Sequence, residues 1–153
     1  MSPFTGPGGN TVRQIGLIVR DIERSARVYA DLFGVAVPPI TVTDPPAFSH
    51  AEYMGKPTEA RAKLAFFQLG QVSLELIEPI GGPSTWRDFL ESKGEGLHHV
   101  AFEVQGMDGV LADMAARGYP LIQRGDYTGG RYAYLDTQDA LGAILELLEN
   151  YKT

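Results

Sequence analysis

Two stretches of this chain end alike, in Leu74-Glu75-Leu76-Ile77-Glu78 and Leu145-Glu146-Leu147-Leu148-Glu149. They also begin alike, with Gln14-Ile15-Gly16-Leu17-Ile18-Val19 and His99-Val100-Ala101-Phe102-Glu103-Val104. A helical segment follows each opening and stops at a glycine, Gly34 or Gly118. Repetition on this scale constrains the fold more than any local propensity, because neighbouring copies of one small unit share a core. With 153 residues in all, each half alone is too small to bury enough apolar surface. The expectation is an α+β fold of two modules, with any shared site drawing residues from both.

The pattern along the chain supports one β-α-β-β-β unit per half. Val12 to Val19 reads as a buried strand, and Asp21 caps a helix in which Ile22, Ala26, Tyr29, Leu32 and Phe33 recur near the helical period. Val35 to Val42 reads as a strand held to an edge or bent by Pro38-Pro39. Thr43 to Thr58 carries Pro45, Pro46, Gly55 and Pro57 without a clear period and reads as a long loop. Strands at Ala62–Leu69 and Val72–Ile77 form a hairpin about Gly70-Gln71. Ser84 caps a linker helix over 84–93. The second half follows with a strand at His98–Val104, a helix from Asp108 to Arg117, and strands near 119–123, 131–135 and 143–148. The expected organisation is a flexible tail at 1–11, then one domain at 12–149 with modules 12–79 and 97–149.

Composition narrows the function classes. A formal net charge of −6 disfavours nucleic acid as a partner. The absence of cysteine excludes thiol nucleophiles and cysteine-ligated zinc. No apolar run is long enough to span a bilayer, and the opening lacks a signal-peptide order, so a cytoplasmic protein with no membrane partner is expected.

Strand alternation singles out four polar side chains. If Leu74, Leu76, Leu145 and Leu147 face the helices, Glu75 and Glu146 face the other surface. The same frame turns Gln14 and His99 away from Ile15-Leu17-Val19 and Val100-Phe102-Val104. Two carboxylates, an imidazole and an amide oxygen suit one divalent ion, with positions left for water or substrate. The alternative for each residue singly is a polar side chain on a wet sheet face. His98 is expected to point to the opposite face in a structural role, hydrogen-bonded near the helix layer. Glu78 and Glu149 read as edge charges, His50 as an exposed loop residue, and Trp86 as packing. Glu59 reads either as a second acid or base or as a solvated strand end. Arg61, Lys63, Arg124 and Arg131 read either as anion contacts or as surface charges that serve solubility.

Gln14-Ile15-Gly16, Glu75-Leu76, His98-His99-Val100-Ala101-Phe102 and Leu145-Glu146-Leu147 resemble the four ligand motifs of the vicinal oxygen chelate superfamily. That family includes glyoxalase I, methylmalonyl-CoA epimerase, fosfomycin resistance enzymes, extradiol dioxygenases and bleomycin-binding proteins. The resemblance runs from Val12 to Glu149, and Gly94 to Phe102 is most similar to the epimerases. It implies two modules curving a mixed sheet around a metal cavity, and often a homodimer. Epimerases of the family carry histidine where Gln14 stands and glutamine where Glu75 stands. Gln, Glu, His, Glu is the ligand set of eukaryotic-type glyoxalase I. Where epimerases have a His-Pro-Lys run, this chain has Asp136-Thr137-Gln138.

The expected function is a metal-dependent isomerase or epimerase that abstracts a proton alpha to a carbonyl or thioester. Glu146 or Glu75 would be the base, and the ion Mn, Co, Ni, Mg or Zn. The alternatives are a glyoxalase I-like lactoylglutathione lyase and a non-catalytic protein that binds a drug or metabolite. A dioxygenase is disfavoured, since only one well-placed histidine is present.

Overall fold

The computed structural model describes residues 10–152, so the expected tail at 1–11 lies almost wholly outside the described residues. In chain order the first half comprises β1 (Val12–Ile18), α1 (Ile22–Phe33), β2 (Thr41–Val42), α2 (Pro46–Ser49), β3 (Glu52–Tyr53), β4 (Lys56–Pro57), β5 (Arg61–Leu69) and β6 (Val72–Ile80). The helix α3 (Thr85–Lys93) leads to the second half: β7 (Gly96–Glu103), α4 (Met107–Ala116), β8 (Leu121–Tyr127), β9 (Gly130–Leu135), α5 (Gln138–Leu141) and β10 (Ile144–Asn150). The strands form one mixed sheet in the order β2-β5-β6-β1-β7-β10-β9-β8-β3-β4. β1 runs parallel to β6 as β7 runs parallel to β10, and β1 and β7 join the halves in an antiparallel seam. The sheet is curled, and each half contributes a β-α-β-β-β unit.

Three apolar clusters follow from the alternation. Ile22, Ala26 and Ala30 recur every fourth residue and press α1 onto Leu74, Leu76, Ala65 and Phe67. Met107, Val110 and Met114 do the same for α4 against Leu145 and Leu147. Trp86, Phe89 and Leu90 of α3 fill the middle with Ile18, Ile77, Tyr134 and Ile144. Leu32, expected on the buried face of α1, is 73% exposed. No described helix is long and apolar enough to cross a membrane.

Two segments differ from the sequence expectation. The strand expected over Val35–Val42 shrinks to Thr41–Val42, because Pro38 and Pro39 supply no amide hydrogens for a ladder. Residues 43–58 are not a bare loop. They hold α2 and the small hairpin β3–β4, and β3 pairs with β8 of the other half, Glu52 opposite Arg124 and Tyr53 opposite Gln123. The backbone amide of Met54 also donates to the Ile122 carbonyl at 2.8 Å, and the Tyr53 hydroxyl donates to Asp88 on α3.

Glu78 and Glu149, expected as edge charges, instead anchor helix starts. Glu78 accepts the Ile22 amide at 3.0 Å, and Glu149 accepts the Gly106 and Met107 amides at 2.7 and 3.1 Å. A carboxylate there meets unpaired amides and the positive end of the helix. Asp21 and Glu23 crowd Glu78 on the surface, and Lys63 lies 3.7 Å from Glu23 and 3.6 Å from Glu78.

Leu76 is fully buried beneath α1. Truncation of such a side chain leaves a cavity, so Leu76→Ala is expected to cost about 3 kcal/mol of stability in urea unfolding. A loss under about 1 kcal/mol would contradict this packing.

Candidate functional site

The central four strands set the site. Along the β1–β6 ladder Gly16 faces Glu75, and along the β1–β7 ladder it faces His99. β10 runs beside β7 with Ile144 opposite His99. Gln14, Glu75 and Glu146 all reach the concave face, while the leucines flanking each glutamate pack under α1 or α4. The structure thereby brings the four expected side chains together around one ring nitrogen. His99 Nε2 stands 3.2 Å from Gln14 Oε1, 3.3 Å from Glu75 Oε1 and 3.2 Å from Glu146 Oε1.

Glycines make room for the rings. A Cβ on Gly16 would lie 2.1 Å from His99 Cε1, so the imidazole lies directly over the backbone there. Likewise a Cβ on Gly125 would lie 2.6 Å from the ring of Tyr132.

His98 departs from the expected alternation. The β1–β7 register shifts between Gly16 and Leu17, which face His99 and Leu97, so His98 is the extra residue of a bulge. The two imidazoles therefore meet, with their Nδ1 atoms 2.9 Å apart, and His98 Nε2 lies 3.1 Å from Thr85 Oγ1 at the start of α3. This chain orients His99. When its Nε2 lone pair faces the site, its Nδ1–H donates to His98 and the His98 Nε2–H donates to Thr85.

The electrostatics are those of a site short of positive charge. Burial pushes Glu75 up to about 8 from an ordinary 4.5. Burial, then the charge of Glu75, holds Glu146 well above the usual carboxylate range, opposed by a hydrogen bond from Tyr134. Burial also draws His99 down to about 3, so its ring is neutral and offers no counter-charge. Glu146 Oε1, though 3.2 Å from His99 Nε2, has no aligned hydrogen-bond donor.

These observations suit a divalent cation. Adjacent ligands around an ion at about 2.1 Å stand roughly 3.0 to 3.4 Å apart, the spacing found about His99 Nε2. On the surface, Asp21, Glu23 and Glu78 also group their ligand atoms, all within 4.8 Å of one another. The surface trio offers no comparable site, because its carboxylates already serve Lys63 and the start of α1.

A cavity of about 490 Å³ is floored by Gln14, Glu75 and Glu146, with His99 fully buried and outside its lining, and is walled by Leu64, Phe66, Ile77 and Trp86. Tyr132 and Tyr134 complete it, and neither was singled out from the sequence. Their signal is the alternation of Tyr132-Ala133-Tyr134 in β9, which puts both hydroxyls on one face, with Tyr134 opposite Glu146. Trp86 Nε1 donates to the Tyr134 hydroxyl at 3.0 Å, so its indole is wall as well as packing. Asp44, Ser49 and Ala51 of the 43–58 segment and Asp126 of β8 also line the cavity. His50 stays outside, bonded to Asp126 at 2.9 Å, and Glu59 is exposed and absent from the lining.

The chain has relatives among known proteins. The sequence profile of the Glyoxalase/Bleomycin resistance protein/Dioxygenase superfamily matches residues 13–134. The uncharacterized protein YqjC of Bacillus subtilis (strain 168) is 32% identical over 143 residues, 92% of each chain. The mitochondrial methylmalonyl-CoA epimerase of Bos taurus is 25% identical over 154 residues, covering 95% of this chain and 78% of the relative. The fold matches a methylmalonyl-CoA epimerase variant of Streptomyces coelicolor in complex with 2-nitronate-propionyl-CoA. That match has a TM-score of 0.64 and 21% identity, covering 92% of this chain and 97% of that one.

Two outcomes follow from the site alone. Gly16→Ala forces the imidazole off the backbone and is expected to cost about 1–3 kcal/mol. In a His99→Ala background the same change should cost little, and equal costs in both backgrounds would refute the contact. The second outcome is a pH trend in chelator-treated protein. A carboxyl whose pKa is raised on folding stabilises the fold below its unfolded value, and that contribution is lost as pH rises through the folded value. The lowered histidine acts below its ordinary 6.5, so between 6.5 and about 8 the glutamates dominate. Thermal stability is expected to fall across that window and to flatten in Glu75→Gln. A flat wild-type profile would oppose this account.

Proposed function

The chain belongs to the Glyoxalase/Bleomycin resistance protein/Dioxygenase superfamily, and on that premise we propose that it is a divalent-metal-dependent isomerase or epimerase. In this reading it removes a proton alpha to a carbonyl or thioester. Gln14, Glu75, His99 and Glu146 hold the ion. When bound, an ion such as Mn, Co, Ni, Mg or Zn supplies Lewis acidity toward a carbonyl oxygen. The observation that carries the reading is the convergence of Gln14, Glu75 and Glu146 on His99 Nε2 at the floor of a walled cavity.

The protein's own groups supply the proton chemistry. Glu146 is the favoured base. Burial raises its proton affinity, and its Oε1 lacks a hydrogen-bond partner. Tyr134 holds the carboxylate through its hydrogen bond and is itself held by Trp86. Glu75 is the second group able to carry a proton at this floor. The apolar wall limits water, which preserves the proton for return. Return to the same carbon is epimerisation, and return to the neighbouring carbon is isomerisation. The similarity to methylmalonyl-CoA epimerases supports the first, whereas the glyoxalase-type ligand set supports the second.

Incubation of metal-loaded protein in deuterated water with acyl thioesters and glutathione hemithioacetals tests the reading. Deuterium is expected at the α-carbon of a thioester, and Glu146→Gln should slow its entry by roughly 10²–10⁴-fold. Metal-dependent conversion of the hemithioacetal alone would move the assignment to the lyase. Binding without exchange in any compound would sink the enzymatic reading.

A further inference from the structure

The first two residues of α3 each open a buried hydrogen-bond chain, and the two chains end on His99 and Glu146. Thr85 Oγ1 lies 3.1 Å from His98 Nε2, and His98 Nδ1 lies 2.9 Å from His99 Nδ1. Trp86 Nε1 donates to the Tyr134 hydroxyl at 3.0 Å, and that hydroxyl bonds Glu146. The helix start is itself pinned. An amide in the first turn has no partner within its helix, and the Thr85 amide donates instead to Gln123 Oε1 at 2.8 Å. Thr85, Trp86, His98, Gln123 and Tyr134 are all at most 6% exposed, so water competes little for these bonds.

We infer that the start of α3 positions the ion, with Thr85 acting through His98 on His99 and Trp86 acting through Tyr134 on Glu146. This rests on the proposed ligand set. An ion takes the Nε2 lone pair of His99, which leaves the ring proton on Nδ1. His98 then accepts at Nδ1 and donates from Nε2, and the Thr85 hydroxyl is the acceptor that this N–H requires. Without that hydroxyl the ion-bound form holds a buried, unpaired N–H. The ion-free form escapes the cost. There the His99 proton can sit on Nε2, where oxygens of Gln14, Glu75 and Glu146 stand 3.2, 3.3 and 3.2 Å away. His98 then donates from Nδ1 and strands no N–H. Loss of the hydroxyl therefore falls on ion binding more than on folding. On the other chain, Tyr134 engages Glu146 while Oε1 stays without a partner, so the oxygen 3.2 Å from His99 Nε2 is the one left for the ion.

Cobalt(II) alone, titrated into chelator-treated protein, is the probe, since its visible absorption follows the geometry of its ligands. Thr85→Val keeps the side-chain shape and the amide bond to Gln123. It should weaken cobalt binding by roughly 10–100-fold, with a much smaller effect on the melting temperature of the ion-free protein. Thr85→Ser, which keeps the hydroxyl, should bind within about threefold of wild type. Tyr134→Phe cuts the second chain and should weaken binding by a similar roughly 10–100-fold and alter the cobalt spectrum. Trp86→Phe leaves Tyr134 in place but unanchored, and should alter the spectrum in the same direction. Coupling is reciprocal, so cobalt should slow amide exchange in α3 of the wild type and do so less in Thr85→Val. Affinity within about threefold of wild type in either Thr85→Val or Tyr134→Phe overturns the inference and leaves the metal site standing. Equal losses in Thr85→Val and Thr85→Ser also overturn it, because they report packing rather than the hydroxyl. Failure of the wild type to bind cobalt sinks the ligand set itself, and the inference with it.

Discussion

The antiparallel seam between β1 and β7 is the contact on which the rest of the structure depends. Across it Gly16 faces His99, and the imidazole occupies the space that any Cβ at residue 16 would fill. The seam thus joins two half-size cores and aims the ring at the same time. β6 lies parallel to β1 and β10 parallel to β7, so a glutamate arrives from each side in an equivalent frame. The repeat serves packing first, since each half supplies its own helix-covered cluster. The convergence of polar groups is what remains on the other face.

That convergence runs against stability. Two carboxylates buried beside a neutral imidazole have no cation among the described side chains, and burial raises the proton affinity of both. Elsewhere the fold pairs its charges closely, as in Arg131 with Glu149 and Asp108, or Glu78 with the first amide of α1. A buried unpaired acid is costly unless an added group relieves it. Its concentration at the floor of one cavity separates this place from the ion-paired surface.

How much of this was legible depended on whether a residue's role was written locally. Alternation in Leu74-Glu75-Leu76 and Leu145-Glu146-Leu147 sufficed to place both glutamates, and the repeat sufficed to bring Gln14 and His99 to them. The contact of His98 with His99 escaped the same reasoning, because a bulge breaks alternation and nothing in Leu97-His98-His99-Val100 marks one, while its structural bond to Thr85 at the start of α3 is as expected. Glu78 and Glu149 looked like strand-end charges because their partners are amides at helix starts many residues away. The hairpin within 43–58 was hidden for a related reason. β3 and β4 hold two residues each, too few for any period, and they form because β8 offers an edge. Tyr132 and Tyr134 were readable from their spacing, but that strand carried no metal-type ligand to draw the eye.

The pairing of Glu52 with Arg124 also orders the assembly of the chain in time. During synthesis β3 and β4 emerge long before β8, the strand whose edge they need. Most of the first half can close through contacts with nearby sequence, whereas this segment must wait for a distant partner. Loop-closure entropy makes such a pairing late and slow to nucleate. The part of the cavity lining supplied by Ser49 and Ala51 is therefore completed only after both halves have met. A chain that folded its first half alone would display the floor residues Gln14 and Glu75 without an enclosure.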